Sequence, residues 1–134
     1  MRIVVDTSAL VSVFLPESAS ECVRNLLERY DDLHFLDLIY YEFPNVMRKR
    51  VVRGEISAED GEMVVTKGLN FISNFPVHQG RELAQEAYRL SVKYGITTYD
   101  ASLVALANTL GGEVLTLDLK LISALKGERF VSCS

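Results

Sequence analysis

Met1-Arg2-Ile3-Val4-Val5-Asp6-Thr7-Ser8-Ala9-Leu10 carries most of the fold. Ile3, Val4 and Val5 form an unbroken aliphatic run, the pattern of a parallel strand buried on both faces. Asp6 follows at once, and a helix is expected from Ser8 to Phe14, stopped by Pro16. The same strand-then-helix alternation continues. Ser18-x-x-Glu21 reads as a capping box ahead of Cys22, Val23, Leu26, Leu27 and Tyr30 at helical spacing. Leu33 to Leu36 reads as a second strand, and Ile39 to Arg53 as a helix ended by Gly54. Pro44 conflicts with that helix: either the helix starts near Tyr41 or it bends at Pro44. Ser57-x-x-Asp60 opens a helix to about Asn74, and Val77-His78 is a short strand. Helices follow at Arg81 to Tyr94 and, after the capping box Thr97-x-x-Asp100, at Ala101 to Leu110. Glu113 to Leu117, Leu119 to Leu125 and Arg129 to Val131 complete a strand, a helix and a strand. This alternation defines an α/β chain, a parallel sheet with helices on both faces.

Composition excludes several classes. The 134 residues fit one domain. Apolar residues at 49% and charged residues at 24% argue against intrinsic disorder. Two cysteines, Cys22 and Cys133, are too few for a disulfide-rich scaffold or a four-cysteine zinc site. Cys22, on an apolar stripe, is expected to be a buried thiol. No apolar run has the length of a membrane span, and the N-terminal run is too short for a secretion signal. The expectation is a soluble, reduced, cytoplasmic protein that uses no membrane. A net charge of −4 and a pI near 5.2 exclude a non-specific nucleic-acid coat.

Of the 18 acidic residues, four are placed unlike the rest. Asp6 and Asp118 each follow a strand, and ligands of open α/β sheets bind at the carboxyl ends of strands. Glu42 lies early in the helix after the second strand, and Asp100 lies in the first turn of an almost wholly apolar helix. Each has a simpler role available, as a helix cap or a favourable charge on a helix dipole. Together they form a cluster of like charges, which raise each other's pKa unless a cation intervenes. Hard oxygen ligands select Mg²⁺ or Mn²⁺ over zinc, and such an ion suits phosphodiester hydrolysis.

Val5-Asp6-Thr7-Ser8-Ala9-Leu10, Glu42-x-x-Asn45, Thr98-Tyr99-Asp100-Ala101 and Leu115-Thr116-Leu117-Asp118 resemble, in order, the motifs of PIN-domain ribonucleases. The nearest branch is the VapC-type toxins of prokaryotic toxin–antitoxin pairs. The resemblance implies a PIN-like three-layer α/β/α domain over residues 1–134, with a central, mainly parallel sheet of four to five strands. It implies a Mg²⁺- or Mn²⁺-dependent endoribonuclease whose catalytic and metal-binding acids are Asp6, Glu42, Asp100 and Asp118. Ser8, Asn45 and Thr116 would support those acids. The implied partners are an RNA substrate, a cognate antitoxin and a second copy in a homodimer.

Other residues have plainer expectations. Asp37 is read as the cap of the helix carrying Glu42, with a place among the acids as its alternative. His34 and His78 are isolated in sequence and read as structural or exposed. Arg48, Lys49 and Arg50 suit a helix C-terminus and are also candidate RNA phosphate contacts. Tyr40, Tyr41 and Tyr99 flank the acids, where they either stack bases or pack in the core. Competing functions are an Asp6 phosphotransfer protein and a metal-stabilised interaction module without turnover. Haloacid-dehalogenase-like phosphatases need an Asp two residues after the nucleophile, where this chain has Ser8.

Overall fold

Ile3, Val4 and Val5 are almost completely buried, and their strand, β1 (Arg2–Val5), is the centre of the sheet. The computed structural model describes residues 1–126, 129–131 and 133. In chain order β1 is followed by α1 (Thr7–Phe14), α2 (Ser20–Arg29), β2 (Asp32–Leu36), α3 (Ile39–Val52), α4 (Ala58–Ile72) and β3 (Val77–His78). Then come a 3-10 turn (Gly80–Glu82), α5 (Ala84–Tyr94), α6 (Thr98–Leu110), β4 (Glu113–Leu115), α7 (Leu119–Ala124) and β5 (Phe130–Val131). The five strands run in the order β3-β2-β1-β4-β5, every pairing parallel.

Side chains alternate across a strand, so the sheet feeds two cores. Ile3, Val5, Leu33, Phe35 and Leu115 face α1 to α4, where they meet Leu10, Val23, Phe43 and Met47. Phe14, Phe43, Phe71, Phe35 and Phe75 pack there with ring centroids 5.1 to 6.4 Å apart. Val4, Leu36 and Val114 face the other layer, against Ala87 and Leu90 of α5, the apolar side of α6, and Leu121 of α7. The result is the expected three-layer α/β/α arrangement.

Several local expectations need correction. The Ser18 capping box does not form: Ala19 stands at the N-cap of α2 with no side-chain bond. The Ser20 hydroxyl instead accepts from Glu17 N and donates to the Leu15 carbonyl, tying the α1–α2 turn. At Ser57 and Thr97 the N-cap half of the box forms, each hydroxyl accepting from the N–H of Asp60 or Asp100. Helix α3 does start at Ile39 as expected, so the alternative start near Tyr41 falls and Pro44 lies inside the helix. The ring removes only the N–H that would have met the Tyr40 carbonyl. Asp37 does not cap α3 either, since Leu38 is the N-cap. Its carboxylate accepts the Gly80 N–H at 3.2 Å, which joins the end of β2 to the segment after β3.

The expectation of two reduced cysteines is also wrong. Cys22 of α2 and Cys133 form a disulfide across a sequence separation of 111, with Cα atoms 5.8 Å apart. Both pack against the core facing α1 to α4. That proximity is made by the fold and leaves no local pattern. His34 and His78 are not isolated either. On neighbouring strands their Nδ1 and Nε2 atoms lie 2.8 Å apart, and His34 Nε2 meets Asp32 Oδ1 at 2.7 Å. Among the described residues no helix is long and apolar enough to cross a membrane.

Candidate active site at the carboxyl edge of the sheet

Strand order reverses direction at β1: the chain moves through β2 and β3 on one side and returns through β4 and β5 on the other. Such a switch point leaves a crevice beyond the carboxyl ends of the two strands that flank it. Val5 is in register with Leu115, and Asp6 N–H continues the ladder by donating to the Leu115 carbonyl at 2.9 Å. The next residues, Asp6 and Thr116, are thereby brought face to face.

Asp6 is both a cap and the centre of a polar cluster. Its Oδ1 accepts the Thr7 N–H at 2.7 Å. Its Oδ2 accepts the Thr116 hydroxyl at 2.6 Å and the Ser8 hydroxyl at 3.1 Å. Ser8 Oγ in turn accepts the Leu117 N–H, and Thr116 Oγ1 accepts the Asp118 N–H. The two hydroxyls thus use their donors on one carboxylate and their lone pairs on the loop after β4. Asp118 caps α7, its Oδ1 accepting from Lys120 N and Leu121 N.

Glu42 reaches the same place from the first turn of α3, where its Oε1 accepts the Thr7 hydroxyl at 3.0 Å. Asp100 arrives from the first turn of α6. Burial pushes the Asp6 carboxyl above its ordinary value, against the hydrogen bonds from Thr116, Ser8 and Thr7, and the Asp118 charge adds to the rise. Burial also raises Glu42, opposed by the Thr7 bond and helped by Asp6 and Asp100. Asp100 is raised by burial and then by Asp118 and Asp6. The four acids therefore lie in one another's field.

Asn45 is exposed and takes no part in this network; its Oδ1 accepts Arg48 Nε at 2.9 Å. Arg50 is paired with Glu17 at 2.6 Å and Glu55 at 3.6 Å, which is a structural employment for that cation. Arg48 and Lys49 are exposed. Thr7 is the residue the sequence reading missed: a buried hydroxyl joining Glu42 to the Asp6 turn. Its only sequence signal was its position between two residues already singled out.

Among the described residues no three carboxylate, imidazole or thiol groups stand close enough to hold a metal ion as placed. The donor chemistry nonetheless fits a hard cation. The charged groups of the cluster are all carboxylates, three of the four acids are raised by burial and mutual repulsion, and the hydrogen bonds to Asp118 and Glu42 engage one oxygen of each.

A parallel α/β/α domain with acids from β1, α3, α6 and the β4 loop at one edge defines a class, and the chain belongs to it: the PIN domain family, matched over residues 3–126. Within that family it is similar to Ribonuclease VapC3 of Pyrobaculum aerophilum, 36% identical over 121 residues, 90% of this chain and 92% of that protein. The crystal structure of PAE2754 from Pyrobaculum aerophilum gives a TM-score of 0.73 at 27% identity, covering 98% of this chain and 84% of that one. A toxin–antitoxin complex from Klebsiella pneumoniae shares the fold, with a TM-score of 0.72 at 17% identity and 98% of both chains covered.

Proposed function

We propose that the chain, acting as one domain over residues 1–134, is an endoribonuclease that hydrolyses RNA phosphodiester bonds with Mg²⁺ or Mn²⁺. We further propose that it is the toxin of a VapBC-type pair. The observation that supports this reading is the charge coupling among Asp6, Glu42, Asp100 and Asp118 near the β1/β4 switch point, with three of them held above their ordinary pKa. Its similarity to a protein named as a VapC ribonuclease over nine tenths of both chains supports it.

In this reading the four acids hold the cation, and Ser8 and Thr116 keep the Asp6 carboxylate in one orientation. Thr7 fixes Glu42 Oε1, which leaves Oε2 to face the cation. When bound, the metal supplies a polarised phosphoryl oxygen and a water of lowered pKa. The distance of Asn45 from this network reduces it to a surface role beside Arg48, and the exposed Arg48 and Lys49 remain candidate phosphate contacts.

The proposed setting is the cytoplasm, where RNA is available, and the proposed assembly is a homodimer. The antitoxin is proposed to reach the acids with a guanidinium, whose planar fork binds carboxylate in a bidentate way. The test is cleavage of single-stranded RNA by purified protein. Activity should need Mg²⁺ or Mn²⁺, vanish in EDTA, and fall by at least ~100-fold in Asp6→Asn. Metal-independent cleavage, or an Asp6→Asn variant as active as the parent with contaminating nuclease excluded, would sink the reading.

A further inference from the structure

A groove that none of the four acids lines sits next in sequence to two of them. It crosses the Asp37–Leu38 turn. On one side a cavity of about 400 Å³ is lined by Tyr99, Thr98 and Ser102 of α6, with Leu36 and Ala84 beneath. On the other side a second, of about 490 Å³, is lined by Tyr40 and Tyr41 of α3; Asp37 and Leu38 border both. Volumes of this order accommodate small-molecule ligands. Tyr99 precedes Asp100 and Tyr41 precedes Glu42 in the chain, so the two walls rise from the turns that carry two of the acids.

Two features say what the groove takes. Tyr99 is 65% exposed and Tyr41 79% exposed, large apolar ring faces left open to water. No lysine or arginine is among the described residues lining either side, and the Asp37 carboxylate borders both. A phosphate is repelled from such a surface. An unpaired base is not: it stacks on an aromatic ring and offers N–H edges that a carboxylate accepts.

We propose that this groove seats one unpaired base of the RNA, stacked on Tyr99 beside the scissile phosphate. The proposal rests on the ribonuclease reading above and adds to it a subsite for a neutral ring. A base paired in a duplex cannot leave its stack to enter the groove without added cost.

The test compares wild type with Tyr99→Phe, Tyr99→Leu, Tyr99→Ala and Tyr41→Ala on a short single-stranded RNA containing 2-aminopurine. Steady-state cleavage is measured in Mg²⁺, and 2-aminopurine fluorescence in Ca²⁺. Tyr99→Ala should raise KM by roughly tenfold or more, the scale of one lost stack, and leave kcat unchanged. Tyr99→Leu should behave like Tyr99→Ala, and Tyr99→Phe like wild type. Fluorescence should be quenched by wild type and Tyr99→Phe, and not by Tyr99→Ala. Unchanged KM and retained quenching in Tyr99→Ala and Tyr41→Ala would overturn the proposal. So would a KM change that accompanies a halving of mass in light scattering, which makes the groove a contact between copies of this chain. Wild type that cuts RNA without quenching overturns the subsite alone. Wild type that cuts no RNA removes the ribonuclease reading and the subsite with it.

Discussion

Asp100 meets the field of Asp6 and Asp118 from the first turn of α6. A carboxyl whose folded pKa is raised contributes stability when protonated, and loses that contribution as pH rises through the folded value. At neutral pH the ionised Asp100 therefore opposes folding. Asp100→Asn should melt a few °C higher than wild type in EDTA at pH 7, the gap should narrow when Mg²⁺ is added, and cleavage should fall by ~100-fold or more. Equal melting temperatures in EDTA would refute the charge argument. The histidine pair has the opposite sign. Burial, then the charge of His34, lowers His78, against Glu82, so its contribution is present above about pH 6.5 and fades as pH falls below that. One proton fits between the two facing nitrogens. Melting temperature should decline on acidification past that point, and a His78→Gln variant should lose that part of the slope. The acids were legible one by one because each follows a strand or opens a helix. Thr7 and the histidine pair were not, because a hydroxyl or an imidazole signals nothing until a partner from another strand or helix is beside it.

Helix α3 delivers Glu42 despite Pro44, because a proline six residues into a helix costs one backbone bond and the buried face repays it. Phe43 and Met47 are almost fully buried on that face. Gly68 of α4 lies so close to the Phe43 ring that a Cβ there would overlap it. Gly68→Ala should therefore push α3 and α4 apart, cost about 1–3 kcal/mol and, because Phe43 adjoins Glu42, lower cleavage as well. Urea midpoints and rates check both; a variant as stable as wild type would show that the ring has room to turn. Helix positions were readable from apolar spacing to within about three residues: α5 starts at Ala84 where Arg81 was expected, and α6 at Thr98 where Ala101 was expected. Their ends were readable only where the cap was local. Thr97 and Ser57 bind an N–H three residues ahead, which sequence spacing can express. The turn before α2 is closed by Ser20 reaching back to Leu15, a choice made by how α1 and α2 pack.

The order of the strands was the part of the fold that alternation alone could not supply. Alternating β and α segments define a parallel sheet, but placing β4 beside β1 depends on non-local fits. Gly112 is one of them: a Cβ there would lie 2.6 Å from the Arg2 carbonyl, so only glycine lets β4 start this close to β1. The disulfide is another such fit, and it adds to stability by limiting the unfolded chain. For a closed loop of this length chain entropy alone gives about 4–5 kcal/mol, against a typical contribution of about 2–4 kcal/mol. Reduction, or Cys133→Ser, should lower the denaturant midpoint accordingly, and both treatments together should do no more than either alone.

That bond also changes what damage to the chain means. Between Cys22 and Cys133 the polypeptide is a covalent ring, with Glu42, Asp100 and Asp118 on the ring and Asp6 on the tail outside it. One hydrolysed peptide bond anywhere on the ring opens it without dividing the molecule. A nicked sample should run as a single full-mass band on a non-reducing gel and as two fragments once reduced. Release of any ring acid by proteolysis thus takes two cuts, and a lone cut separates a piece only when it falls outside the ring, ahead of Cys22 or after Cys133.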